Sequence, residues 1–312
     1  MGCLALSKAF FLECAEPELK RCFPELSGRI AAGLVGNGSE CFGYDDELSK
    51  DHDWGIDFYL WVTEKDRCQI PLLSEWKRDL LSHLPLDMQR TRSAYGAQIN
   101  VSTVGDFYCH LIGKPDGPHT IGEWRAIPQE NLAMAVNGEV FQDPTGDFSR
   151  VRTRLVEEYY PEDLRLKKIA ARCMAIAQTG QYNLMRCRKR MDYVTMRTVL
   201  ARFHSEVIGL VFLLNRKYRP YYKWEFRRMT ELPVLGWDVG QVLSFLANHT
   251  SLSEKDLDEQ LQVVLQLCAT LATELRKEGL SDSNDWFLAE HAASIQFRIQ
   301  DPKLRELPLQ FE

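Results

Sequence analysis

The period of the hydrophobic pattern changes once along this chain, near residue 150, and that change decides its fold class. Before it, short apolar runs alternate with helical stripes. RIAAGLVG (29–36), DWGIDFYLWV (53–62), QINVST (98–103) and EVFQ (139–142) read as extended, and residues 7–26 and 72–84 read as helical. After Asp147 the helical period takes over, with candidates at 165–177, 184–214 and 257–277. The last is the clearest: Leu257, Leu261, Val264, Leu265, Cys268, Leu271 and Leu275 recur three or four apart. Ser253 with Asp256 suits its N-cap, and Gly279 suits its stop. The expectation is an α+β chain of two domains. Residues 1–150 would form a small mixed sheet flanked by helices, and 151–312 an α-helical bundle.

Composition narrows the function classes. With 45% hydrophobic and 26% charged residues, the chain has the ordinary globular balance. A net charge of −6 speaks against a nucleic-acid partner held on a broad basic face. Nine cysteines, an odd number with no CxxC pair, read as reduced thiols. The seven histidines show no ligand spacing, so zinc is not expected. No GxSxG, GxxxxGK[ST] or GxGxxG string occurs, which sets aside hydrolase, P-loop and Rossmann readings. No stretch approaches ~20 uninterrupted apolar residues, so no membrane span is expected. The start lacks the basic flank of a signal peptide, and Leu6 stands where myristoylation asks for Ser or Thr. The expected location is the cytoplasm. Nothing in the pattern marks an oligomeric state.

The chemistry is concentrated in GNGSECFGYDDELSKDHDWGID (36–57). A strand ends in glycines, Gly38-Ser39 follows, and eleven residues separate Ser39 from Asp51-His52-Asp53. Glycines let backbone approach a ligand, and a helix starting at Ser39 would aim free N–H groups at a phosphate. If the acidic segment is extended, Asp51 and Asp53 share a face with Cα atoms roughly 6.6 Å apart, close enough to converge on Mg²⁺. His52 would point away, and Asp57 would lie about 13 Å beyond Asp53, too far to share that ion. Asp45 and Asp46 read as an acidic loop.

This arrangement resembles the signature of the nucleotidyltransferase superfamily. The fuller string GSECFGYDDELSKDHDWG (38–55) is similar to a bacterial family within it, the DUF4037 proteins. The likeness extends over most of the chain. It includes NGEVFQDPTGDF (137–148), like the closing strand of small-molecule nucleotidyltransferases, and GQYNLMRCRKRMD (180–192). It also includes LLNRKYRPYYKW (213–224), similar to a segment of aminoglycoside nucleotidyltransferases whose lysine faces the triphosphate. The resemblance implies a nucleotidyltransferase fold in the first domain. It implies two Mg²⁺ ions on Asp51 and Asp53, and a nucleoside triphosphate, ATP, with its phosphates on Gly38 and Ser39. Asn183, Arg186, Arg190 and Lys223 would contact the nucleotide from the helical domain. The reaction would pass a nucleoside monophosphate to a hydroxyl of a small molecule.

One position departs from the pattern. The superfamily carries a third carboxylate between hydrophobic residues, and the comparable place here is Ile99-Asn100-Val101. An asparagine can offer a carbonyl to a metal but cannot accept a proton. Either Asp106, Glu157 or Glu158 supplies the base, or the protein is a catalytically silent nucleotide-binding or regulatory protein. A protein or RNA acceptor is a further alternative. The helical-domain residues also have plainer readings. Arg186 and Arg190, four apart, can form a solvated face, and Lys223 among Tyr218, Tyr221, Tyr222 and Trp224 can extend to water from a packing patch.

Overall fold

Two apolar runs, one of small aliphatic residues and one rich in aromatics, pair to form the centre of a sheet. The computed structural model describes residues 2–36, 38–51, 54–90 and 100–312. The chain forms two compact units, Met1–Tyr159 and Tyr160–Glu312. Residue 150, the expected change of period, lies within a helix that starts at Asp147.

The first unit opens with α1 (Cys3–Phe10), a π turn (Phe11–Ala15) and α2 (Glu16–Cys22). Next come β1 (Ala31–Leu34), 3-10 turns at Ser39–Phe42 and Glu47–Asp51, β2 (Tyr59–Val62) and α3 (Ile70–Ser82). It closes with β3 (Val101–Thr103), α4 (Val104–Ile112), α5 (Ile121–Ala126), α6 (Gln129–Val136), β4 (Glu139–Gln142) and α7 (Asp147–Glu158). The sheet order is β3-β2-β1-β4. Strand β1 is antiparallel to both β2 and β4, while β2 and β3 are parallel. A parallel pair needs a crossover, and α3 supplies it.

Side-chain alternation then builds two cores. Ala32, Phe58, Leu60, Val62 and Val101 are buried against Phe11, Ala15 and Leu19 of the N-terminal helices and Leu73 of α3. On the other face Trp61 stacks on Phe148 at 3.8 Å and meets Phe107 edge-on at 5.2 Å. Small residues on β1 make this possible. A Cβ on Gly33 would lie 2.5 Å from the Glu139 carbonyl and 3.2 Å from the Trp61 ring.

The second unit is helical throughout. It contains α8 (Glu162–Ile176), a π turn (Ala177–Asn183), α9 (Leu184–Lys189), α10 (Tyr193–Leu214) and α11 (Tyr222–Thr230). After them come α12 (Gly236–Asn248), α13 (Glu254–Lys277), α14 (Leu288–Phe297) and α15 (Pro302–Arg305). Helix α8 packs on α10 and α14, with Leu164, Ile169, Phe203, Val207, Leu210, Ala292 and Ile295 in the core. Lys167 is fully buried, and its ammonium donates to Gln296 Oε1 (2.6 Å) and to the carbonyls of Leu307 (3.1 Å) and Pro308 (2.8 Å). In α13 the Ser253 side chain accepts from the Asp256 amide, and Gly279 takes a φ of 67° just past the helix end. Among the described residues no helix is long and apolar enough to cross a membrane. All nine cysteines are free thiols.

Two expected elements are shorter than the pattern implied. The strand expected from 53 begins only at Tyr59, because Gly55 turns the backbone with a φ of 127°. The helix expected over 184–214 breaks after Lys189: Met191 takes a φ of 55°, and the Asp192 side chain caps a new helix by accepting from Thr195 N. Leu271, fully buried on α13, tests the helical core. Leu271→Ala should cost roughly 2–5 kcal/mol of stability in urea unfolding. A loss below about 1 kcal/mol would mean that this stripe is not a close-packed core.

Candidate functional site

Strand directions bring four loops to one end of the sheet. Leu34 ends β1 opposite Glu139, the start of β4, and Gly33 lies opposite Tyr59, the start of β2. Because β3 runs parallel to β2 with Leu60 beside Val101, Asn100 enters at that same end. The turn after β1, the segment before β2, Asn100 and the Asn137-Gly138 loop therefore share one rim.

The turn is held from several sides. Gly36 has a φ of 134°. The Asn137 side chain accepts from its amide at 2.9 Å and donates to its carbonyl. The Cys41 carbonyl accepts from Gly138 N at 3.1 Å. Gly38 is extended and leads into the 3-10 turn at Ser39, where the half-exposed serine stands. The sequence anticipated a helix starting at Ser39, and the structure gives a single short turn. A Cβ on Gly38 would overlap the carboxylate of Glu40 and displace it. That carboxylate is buried and bonded to Arg90 Nη2 at 2.6 Å.

The neighbouring acids have separate tasks. Asp45 accepts from Cys3 N at the start of α1. Asp46 accepts from the Ser49 amide and hydroxyl at 3.1 Å. Asp57, buried, lies 2.6 Å from the Lys77 ammonium and accepts from Phe58 N at 2.8 Å. Glu47 is also engaged. The backbone of Asp51 belongs to the 3-10 turn Glu47–Asp51. The expectation that Asp51 lies in an extended segment is therefore corrected. The Asp51 carboxylate, His52 and Asp53 lie outside the described residues.

Asn100 fits a hard cation. Its carbonyl accepts from Leu60 N at 3.0 Å, while its Oδ1 is buried without a hydrogen-bond partner. An orphaned buried acceptor carries an unmet cost of about 1–3 kcal/mol, and a carbonyl oxygen is a donor that Mg²⁺ accepts. Asp106, one candidate base, is bound by Arg67 at 2.6 and 3.1 Å. That arginine holds its carboxyl below the usual range and weakens it as a base. Glu158 lies 3.7 Å from Arg154, and Glu157 lines a depression of about 370 Å³ with Glu139 and Arg152. A larger open depression, about 630 Å³, is lined by α1 and the turn, with Lys8, Glu13, Glu40, Asp45 and Glu139 around it.

In the helical unit, Asn183 ends the π turn. Arg186 and Arg190 are exposed and one turn apart, with Arg190 N donating to the Arg186 carbonyl at 3.2 Å. Arg186 also donates to the Tyr182 hydroxyl at 2.6 Å and lies 4.5 Å from its ring. The intervening Arg188 is instead tied to Glu254 and Asp258. Lys223 is exposed, with its ammonium 5.0 Å from the Trp224 ring, which matches the snorkelling reading. Among the described residues, His249, Asp256 and Glu259 bring ligand atoms within 4.8 Å of one another. Asp256 there already accepts from the Ser253 hydroxyl at 2.6 Å.

The buried pairs Glu40–Arg90 and Asp57–Lys77 were not anticipated. Their partners stand 50 and 20 positions apart, and no local pattern marks them. Breaking one of these pairs leaves a bare charge in the protein interior. Lys77→Met should therefore cost roughly 3–5 kcal/mol in urea unfolding, and the double change Asp57→Leu/Lys77→Met much less. Equal costs for the single and double variants would show that the pair is not the source.

No curated protein and no solved structure matches the chain. Residues 124–225 match the family described as Domain of unknown function (DUF4037). The matched stretch takes in 137–148, 180–192 and 213–224, whereas the string at 38–55 lies outside it. Over residues 124–225 the chain is therefore similar to the DUF4037 proteins.

Proposed function

We propose that this protein is a magnesium-dependent nucleotidyltransferase, passing AMP from ATP to a hydroxyl of a small molecule. The observation that carries the reading is the shared sheet end. Gly38-Ser39 follows β1, Asp51-x-Asp53 precedes β2, and Asn100 with its unpartnered Oδ1 precedes β3. In this reading Ser39 and the turn's amides hold the β- and γ-phosphates. Asp51 and Asp53 hold the metal, with the Asn100 carbonyl as a neutral third oxygen donor. Bound Mg²⁺ would neutralise phosphate charge and orient the α-phosphorus. The acceptor oxygen bonds to that phosphorus as its bond to pyrophosphate breaks, and the hydroxyl proton passes to a base. Asn100 cannot take it.

A second reading, a nucleotide-binding protein without turnover, is favoured by Asn100 standing where a carboxylate base would be needed. The two are separated by incubating the full-length protein with each labelled triphosphate, Mg²⁺ and cell extract. Label in a small product is the expected result, and it should vanish in Asp51→Asn and Asp53→Asn. Binding without transfer supports the silent protein, and label on a macromolecule points to a protein or RNA acceptor. Failure to bind any triphosphate, or aspartate variants that bind and turn over as wild type does, would overturn the site.

A further inference from the structure

Arg90 touches both halves of the motif, although nothing in the sequence singles it out. Its backbone runs against Gly55, where an added Cβ would lie 2.6 Å from the Arg90 Cα and amide nitrogen. The same approach is fixed by Ile56 N donating to the Met88 carbonyl at 2.9 Å and by a parallel bridge between Ile56 and Gln89. Its guanidinium reaches Glu40 Oε1 at 2.6 Å, and the Glu40 carboxylate in turn lies against Gly38. Both side chains are deeply buried, 7% and 4% exposed. The Nε and Nη1 donors of Arg90 have no hydrogen-bond partner, so the group is not placed there to satisfy its own donors.

We propose that Arg90 is a positioning residue of the candidate nucleotide site, a tie between the Gly38-Ser39 turn and the segment that follows Asp51 and Asp53. Through Glu40 it holds the turn and through its backbone it holds Gly55, and so it fixes the distance between those two segments. This rests on the nucleotide reading above. A guanidinium suits the task because it keeps its charge when buried, whereas a lysine ammonium is readily neutralised there. Burial in a low-dielectric setting stiffens the contact.

The test compares the full-length wild type with Arg90→Lys and with the double variant Glu40→Gln/Arg90→Gln, which leaves no lone buried charge. MgATP binding at equilibrium and amide exchange over residues 38–58 are measured on samples with unchanged circular dichroism and cooperative melting. Both variants should bind MgATP about 10- to 100-fold more weakly, the usual effect of losing a group that orients a binding residue. Exchange protection should fall together at 39–42 and at 55–58. Variants that bind MgATP as tightly as wild type overturn the proposal, whatever the exchange shows. If wild type itself binds no triphosphate, the nucleotide reading fails and the exchange arm still decides Arg90. Joint loss in both segments upholds the tie, and loss in one or neither overturns it.

Discussion

The antiparallel pairing of β1 with β2 is the interaction on which the candidate site depends. A turn after one strand and a loop before its neighbour are forced to the same rim, whatever the loops contain. The parallel strand β3 adds Asn100 there, and β4 adds the Asn137-Gly138 clamp. The pairing is secured by apolar burial on both faces, Phe58, Leu60 and Val62 on one side and Trp61 on the other. Each such side chain contributes roughly 1.5–3 kcal/mol when fully buried. A slip of one residue would exchange those faces, so the register is strongly specified.

Ion pairs add definition to this hydrophobic frame. Asp57–Lys77 and Glu40–Arg90 are buried at the rim, where desolvation offsets most of the Coulombic gain. Their contribution is to fix conformation. Burial lowers the affinity of Arg90 for its proton, but Glu40 and Asp57 more than compensate, so the group stays charged. A permanent charge inside the protein keeps Glu40 folded over Gly38, and that position has no room for a side chain.

The sequence made the frame legible wherever local chemistry dominates. Strand β4 follows from the turn residues on either side of it, Asn137-Gly138 and Asp143-Pro144, and the capped helix α13 from its periodicity and Ser253. The strand expected from 53 starts only at Tyr59 because Gly55, inside the apolar run, takes a positive φ that the pattern does not reveal. The break in 184–214 did have a signal: Asp192 three residues before Thr195 is an N-cap spacing, obscured by uninterrupted helix formers on either side. At the candidate site, Gly38, Ser39 and Asn100 are marked by their place in a motif. Arg90 and Lys77 were invisible because topology, not spacing, brings them to Glu40 and Asp57. The same holds for which acids are engaged. Asp45, Asp46 and Asp57 look alike in sequence, and each is already bonded in the fold.

The account stands or falls on where the Asp51 and Asp53 carboxylates meet a nucleotide. A crystal structure of the full-length protein with a non-hydrolysable ATP analogue and Mg²⁺ measures this directly. The account predicts metal density between those two carboxylates, the β- and γ-phosphates on Ser39 and the turn's amides, and Asn100 Oδ1 turned toward the ion. An analogue bound elsewhere, or two aspartates facing apart with no metal between them, would contradict it.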